Sequence, residues 1–222
     1  MTRLKVAHAS NVHIACNDLI HMNGLVFYIG LGLGLALAAG LRPFLPALLA
    51  GALASSKVLG VSFAHAGGYS FLYSTWWLAA MAAALVLAYL LQLRLGSERF
   101  QTAQPAAALA GIGVAIGALL FAGTLAAHGD AAWPGLIAGA AAAALAQAVA
   151  RPLGVRTRAR LPDRGAREAV TVYLDSASLA LAVLVALLHP LGYVAVVPFA
   201  WLWLRMRSRA DEKYAGLRIL RR

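Results

Sequence analysis

Apolar residues in this chain come in long blocks, without the strict alternation of a half-buried strand or the one-sided stripe of a surface helix. The first block, 24–41 (GLVFYIGLGLGLALAAGL), has 18 residues and no charge, and it predicts a membrane-spanning helix. Arg42-Pro43 interrupts it, because proline disfavours helix at the residue before it and has no N–H to donate. The next block, 44–56, has 13 residues, short for a full crossing. It reads as a re-entrant or broken helix unless Lys57 snorkels and the span runs on to 63. A span at 70–95 opens on Tyr69, Phe71, Tyr73, Trp76 and Trp77 and closes on Arg94, with rings anchoring one end and a cation the other. Blocks 105–127 and 132–150 make a hairpin around HGDAAWP, in which Asp130 is the sole formal charge between 105 and 150. The last apolar stretch is divided at His189-Pro190 into helices over 169–188 and 190–206, with Val197-Pro198 inside the second and Trp201 and Trp203 near its end.

The predicted fold is therefore all-α, a polytopic transmembrane bundle over 22–207 with about six or seven spans, broken or re-entrant near Arg42-Pro43 and His189-Pro190. The second span takes in 43–63 at its longest. Residues 1–21 are polar and read as a disordered arm or an over-called start, and 208–222 form a basic tail. Residues 24–56 either cross twice or cross once and add a re-entrant piece, with two helices meeting at Arg42-Pro43 the favoured reading. The GxxxG pairs Gly30/Gly34, Gly113/Gly117 and Gly135/Gly139 provide small faces on which helices approach closely, within the bundle or between copies.

Composition agrees with this pattern. Hydrophobic residues are 62% of the 222 and charged residues only 12%, too few to cover the surface of a soluble fold of this size. That excludes an ordinary cytosolic enzyme, a secreted disulfide scaffold and a disordered chain; Cys16 is the one cysteine. The net charge of +11 would suggest nucleic acid in a soluble protein. Here 15 of the 19 Lys and Arg fall in three places: the loop at 96–104 with Arg94 at its edge, the segment 151–167, and the tail from 205. Placing those three inside satisfies the positive-inside rule, puts the C-terminus in the cytoplasm and suggests a multi-pass membrane protein. Arg151, Arg156, Arg158, Arg160, Arg164 and Arg167 then form a surface for anionic phospholipids.

Three basic-proline pairs, Arg42-Pro43, Arg151-Pro152 and His189-Pro190, mark expected helix breaks. Arg42 differs from the other cations because apolar residues flank it on both sides, so at membrane depth it needs a partner or an anionic ligand. Asp175 lies in an otherwise uncharged helix, where it either caps the helix beside Ser176 and Ser178 or pairs with an arginine such as Arg42. His189 is a turn residue or a proton-relay group. Gln92 and Gln147 are expected to hydrogen-bond to neighbouring helices, and Lys57, His65 and His128 to sit in outer loops. The spacing His8, His13, Cys16, His21 fits no zinc pattern, and no catalytic or nucleotide motif is present, so neither an enzyme nor a cofactor is expected.

The strings GLRPFLPALLAGALA at 40–54, YSFL at 69–72, LLFAGTLAAHG at 119–129, GLIAGAAAAALAQ at 135–147 and KYAGLRILR at 213–221 together resemble the bacterial domain-of-unknown-function family 4126, and its actinobacterial-type members in particular. The resemblance implies an integral membrane protein and carries no catalytic residues with it. It gives most weight to Arg42, Pro43 and Pro46. The expected function is a small carrier, that is, a transporter, or a lipid-handling protein. Arg42 would bind an anionic group, with Asp175 and His189 as coupling residues and a homo-oligomer as the working form. A non-catalytic scaffold assembling through its Gly/Ala faces is the alternative.

Overall fold

The computed structural model describes residues 24–56, 61, 63, 68–95, 104–161 and 163–219, without the side chains of 95, 104–106, 164 and 209–219. Among these residues there are seven α-helices, one 3-10 turn and no strand. The helices are α1 (Gly24–Leu41), α2 (Phe44–Ser56), α3 (Thr75–Leu95) and α4 (Gln104–Ala126), followed by α5 (Ala132–Ala159), α6 (Arg164–Leu187) and α7 (Leu191–Ile219). The 3-10 turn Ser70–Tyr73 leads into α3. Lys57, His65, and the His8, His13, Cys16 and His21 group lie outside the described residues.

Helix α1 is the centre of the bundle. From Gly34 to Gly40 every residue is buried, as expected of a helix that is apolar all round. Its glycines face four different neighbours. A Cβ on Gly30 would lie 2.5 Å from the His189 carbonyl oxygen at the α6–α7 turn, and one on Gly40 would lie 2.3 Å from the Ala143 carbonyl oxygen of α5. Gly32 faces Phe121 and Thr124 of α4, and Gly34 faces Val185 of α6. The α4–α5 hairpin closes in the same way, with Gly135 against Ala122 and Gly139 against Gly117 and Ala118. Gly113 faces Gln147 and the Ala39 carbonyl. The GxxxG pairs thus pack helices within one chain.

One end of the bundle gathers the start of α1 and the α4–α5 and α6–α7 turns, with Tyr28 stacked on His128 and Phe27 edge-on to His189. Gly129 turns the first of these corners at φ 83°, a backbone region that suits glycine. The opposite end gathers the α1–α2 break, the ends of α3 and α5, and the starts of α4 and α6. Residues 24–56 therefore run the depth of the bundle and turn back. The Arg42 N–H makes the last α1 bond, to Ala38, and Pro43 cannot extend it. Pro46 is tolerated in the first turn of α2, where N–H groups have no helical partner.

The structure differs from the sequence expectation in three places. Among the described residues, five helices are long and apolar enough to cross a membrane. α2 has 13 residues, about 20 Å of helix, as its short block predicts, and α7 meets Arg205 and Arg207 after its apolar half. Arg151-Pro152 does not end a helix, because α5 runs through it to Ala159. The lost hydrogen bond there is offset by packing, since Gly154 lies against Leu174 and Arg158 binds Thr171 of α6. Finally, Asp175 does not cap α6; the helix begins three turns earlier, where the Asp163 side chain accepts from the Ala166 N–H.

Candidate functional site

The inward face of α6 carries Thr171, Asp175 and Ser178, one helical turn apart and all buried. Ser178 donates to the Ala38 carbonyl at 2.9 Å and locks α6 onto the end of α1. That contact sets the Asp175 carboxylate beside the α1–α2 break. The Arg42 Nε donates to Asp175 Oδ1 at 2.7 Å, and the Tyr89 hydroxyl of α3 donates to Oδ2. Both carboxylate oxygens of a residue that is 8% exposed are thus engaged by donors from two other elements. Burying these charges is possible only because they are paired.

A second layer lies one turn closer to the α6 start. Gln92 of α3 donates to the Thr171 hydroxyl oxygen at 3.2 Å, and Arg158 of α5 donates to it at 3.1 Å. Arg158 is within electrostatic reach of both Arg42 and Asp175. Gln147 spans α5 to α4, donating to the Ala110 carbonyl at 2.8 Å.

These groups border a cavity of about 130 Å³ framed by α1 to α6. Its polar lining includes Arg42, Arg151, Arg158, Asp175, Tyr89 and Gln92, and apolar side chains such as Leu45, Leu85 and Val155 fill the rest. The Arg42 Nη2 is buried and has no hydrogen-bond partner among the described residues. Pro43 lines the cavity as well, while Pro46 is buried in α2.

Of the residues singled out by sequence, Arg42, Pro43 and Asp175 come together here, and His189 does not. Fourteen residues of α6 and its turn, about 20 Å, separate His189 from Asp175. Arg158 also departs from expectation. At 6% exposed it turns into the bundle, while Arg151, Arg156 and Arg160 remain on the surface and Arg167 donates to the Leu161 carbonyl. The Arg164 side chain lies outside the described residues. Sequence reasoning overlooked Tyr89 and Thr171. Their signals were present: Thr171, Asp175 and Ser178 at i, i+4, i+7 in one apolar helix, and Tyr89 one turn before Gln92.

His189 serves the opposite end. Partial burial holds its imidazole below the usual histidine pKa, so the folded protein favours the neutral ring. Its stabilising contribution is complete above about pH 6.5 and is lost as pH falls through the lower folded value. Denaturant titrations between pH 7.5 and 5 should show a loss of stability in the native chain that His189→Gln reduces. Curves that stay parallel would contradict this role.

Among the described residues no cluster of His, Cys, Asp and Glu is arranged to hold a metal. The fold and site define a helical membrane protein with an ion-paired, arginine-lined cavity at one end of its bundle. The chain belongs to the family described as a domain of unknown function (DUF4126), whose family model matches residues 29–209. No curated protein and no solved structure matches the chain.

Proposed function

We propose that the protein binds a small anionic group in the Arg42 cavity and works as a small carrier or lipid-handling protein of the bacterial inner membrane. The observation that carries this reading is the lining itself: three arginines (Arg42, Arg151, Arg158) against one carboxylate, Asp175, in a volume of about 130 Å³. Such a space holds about four water molecules at their liquid volume of about 30 Å³ each, enough for a small oxyanion. On the positive-inside reading the cavity end and the C-terminus face the cytoplasm, where exposed Arg151, Arg156 and Arg160 would attract anionic head groups by about 1 kcal/mol each. The scaffold alternative relied on free Gly/Ala faces. The GxxxG pairs are already occupied within the chain, so a homo-oligomer would form through other surfaces, such as the outward face of α3.

Ligand-induced stabilisation tests the reading. Purified full-length protein in neutral detergent should be stabilised by methanesulfonate or by a short-chain phosphatidylglycerol, by about 2.7 kcal/mol at a hundredfold excess over Kd. The Arg42→Gln/Asp175→Asn pair, which leaves no uncompensated charge, should lose that response. An equal response in the double variant, or none in the native chain, would count against the site.

A further inference from the structure

Asp175 is the resident anion of the site. Its Oδ1 accepts from the Arg42 Nε, and its Oδ2 is held by Tyr89. The Arg42 Nη2 is buried and has no hydrogen-bond partner among the described residues. An anion entering the cavity therefore competes with a tethered carboxylate for the same guanidinium. In a low-dielectric setting an anion placed beside that carboxylate is repelled by it as long as the carboxylate keeps its charge.

We infer that anion binding at Arg42 is linked to uptake of one proton by Asp175, so that the site takes up an anion and a proton together; this rests on the anion-site reading above. The proton comes from solvent and neutralises the Asp175 carboxylate. The Arg42 guanidinium keeps its charge and turns its Nε–H from Asp175 to the ligand, and no covalent bond changes beyond that protonation. The ligand class is a singly charged oxyanion, either a free small anion or the phosphodiester of a lipid head group. The charged and titratable groups facing Asp175 are Arg42 from the α1–α2 break, Tyr89 from α3, and Arg158 and Arg151 from α5. The neighbours that α6 itself contributes, Thr171 and Ser178, and those from α4, Leu109 and Ala110, are neutral. Asp175 is thus the carboxylate at this site, and Tyr89 is a positioning residue that donates to it.

The test is calorimetric titration of the full chain in neutral detergent between pH 5 and 8. The probes are methanesulfonate and a short-chain phosphatidylglycerol, whose charges stay constant over that range. In the native protein the affinity should rise by up to tenfold for each unit that pH falls, the slope for one linked proton. Asp175→Asn should bind without pH dependence and as tightly at pH 8 as the native chain does at low pH. Tyr89→Phe removes a donor to the carboxylate and should move the pH-dependent limb to higher pH, which a merely structural role for Tyr89 would not do. It also keeps the inference testable if Asp175→Asn does not fold. Whichever probe binds identifies the source of the ligand. Native binding that ignores pH, or the same slope in Asp175→Asn, overturns the proton linkage and leaves the anion site standing. Failure of both probes to bind the native chain and Asp175→Asn at every pH overturns the site itself.

Discussion

Replacing Gly192 with alanine is expected to cost about 3 kcal/mol and to deplete folded protein from the membrane sharply. Gly192 opens α7 where that helix crosses α1, and an added Cβ would lie 1.8 Å from the Gly30 carbonyl oxygen and 2.7 Å from its carbon. Both atoms are backbone of the central helix, so no rotamer change relieves the clash, and α7 must move off α1. Tyr193 anchors the same crossing by donating to the Val26 carbonyl at 2.7 Å, so a shift of α7 loses that bond too. Gly111→Ala is the matched control. It lies in α4 with nothing within 4 Å of where the alanine methyl would sit, and alanine there should be neutral or stabilising by up to about 1 kcal/mol. Chemical unfolding in detergent, read by tryptophan fluorescence, separates the two. Equal effects at both positions would show that the α1–α7 crossing is looser than the geometry requires.

Asp175→Leu alone should destabilise by about 3 kcal/mol, the low end for breaking a buried pair. The low end applies because the Arg42 side chain keeps 21% exposure and borders a cavity. Removing the carboxylate leaves Arg42 uncompensated. Replacing both partners, as Arg42→Met/Asp175→Leu, should recover most of the loss, since an apolar pair carries no desolvation penalty. The double-mutant cycle should report about 2 kcal/mol of coupling. Additive effects would mean that the ion pair contributes nothing in the folded membrane protein.

The extent to which the sequence announced this architecture varies by element, for physical reasons. The apolar blocks gave the helices, because membrane crossing demands length and hydropathy, and both are local properties. The order GLGLGLALAAG at 30–40 marked a packing helix but not its central position, which follows from each glycine meeting a different neighbour. Arg42 stood out because a cation amid apolar residues needs compensation, and Asp175 stood out for the same reason in reverse. Their pairing joins positions far apart in the chain and became certain only from the Ser178–Ala38 contact that sets α6 against α1. Pro152 misled because its local penalty was outweighed by the packing of Arg158 and Gly154 on α6. The same packing drew Arg158 inward from what read as a solvated basic segment.

The central claim is that an anion occupies the space beside Arg42. Crystals of the full-length protein in lipid, soaked in selenate and measured at the selenium edge, test it most directly. The account predicts an anomalous peak inside the cavity, within hydrogen-bonding distance of the Arg42 guanidinium and absent in the Arg42→Gln/Asp175→Asn variant. Peaks confined to the exposed Arg156 and Arg160, with the cavity empty of selenium, would contradict it.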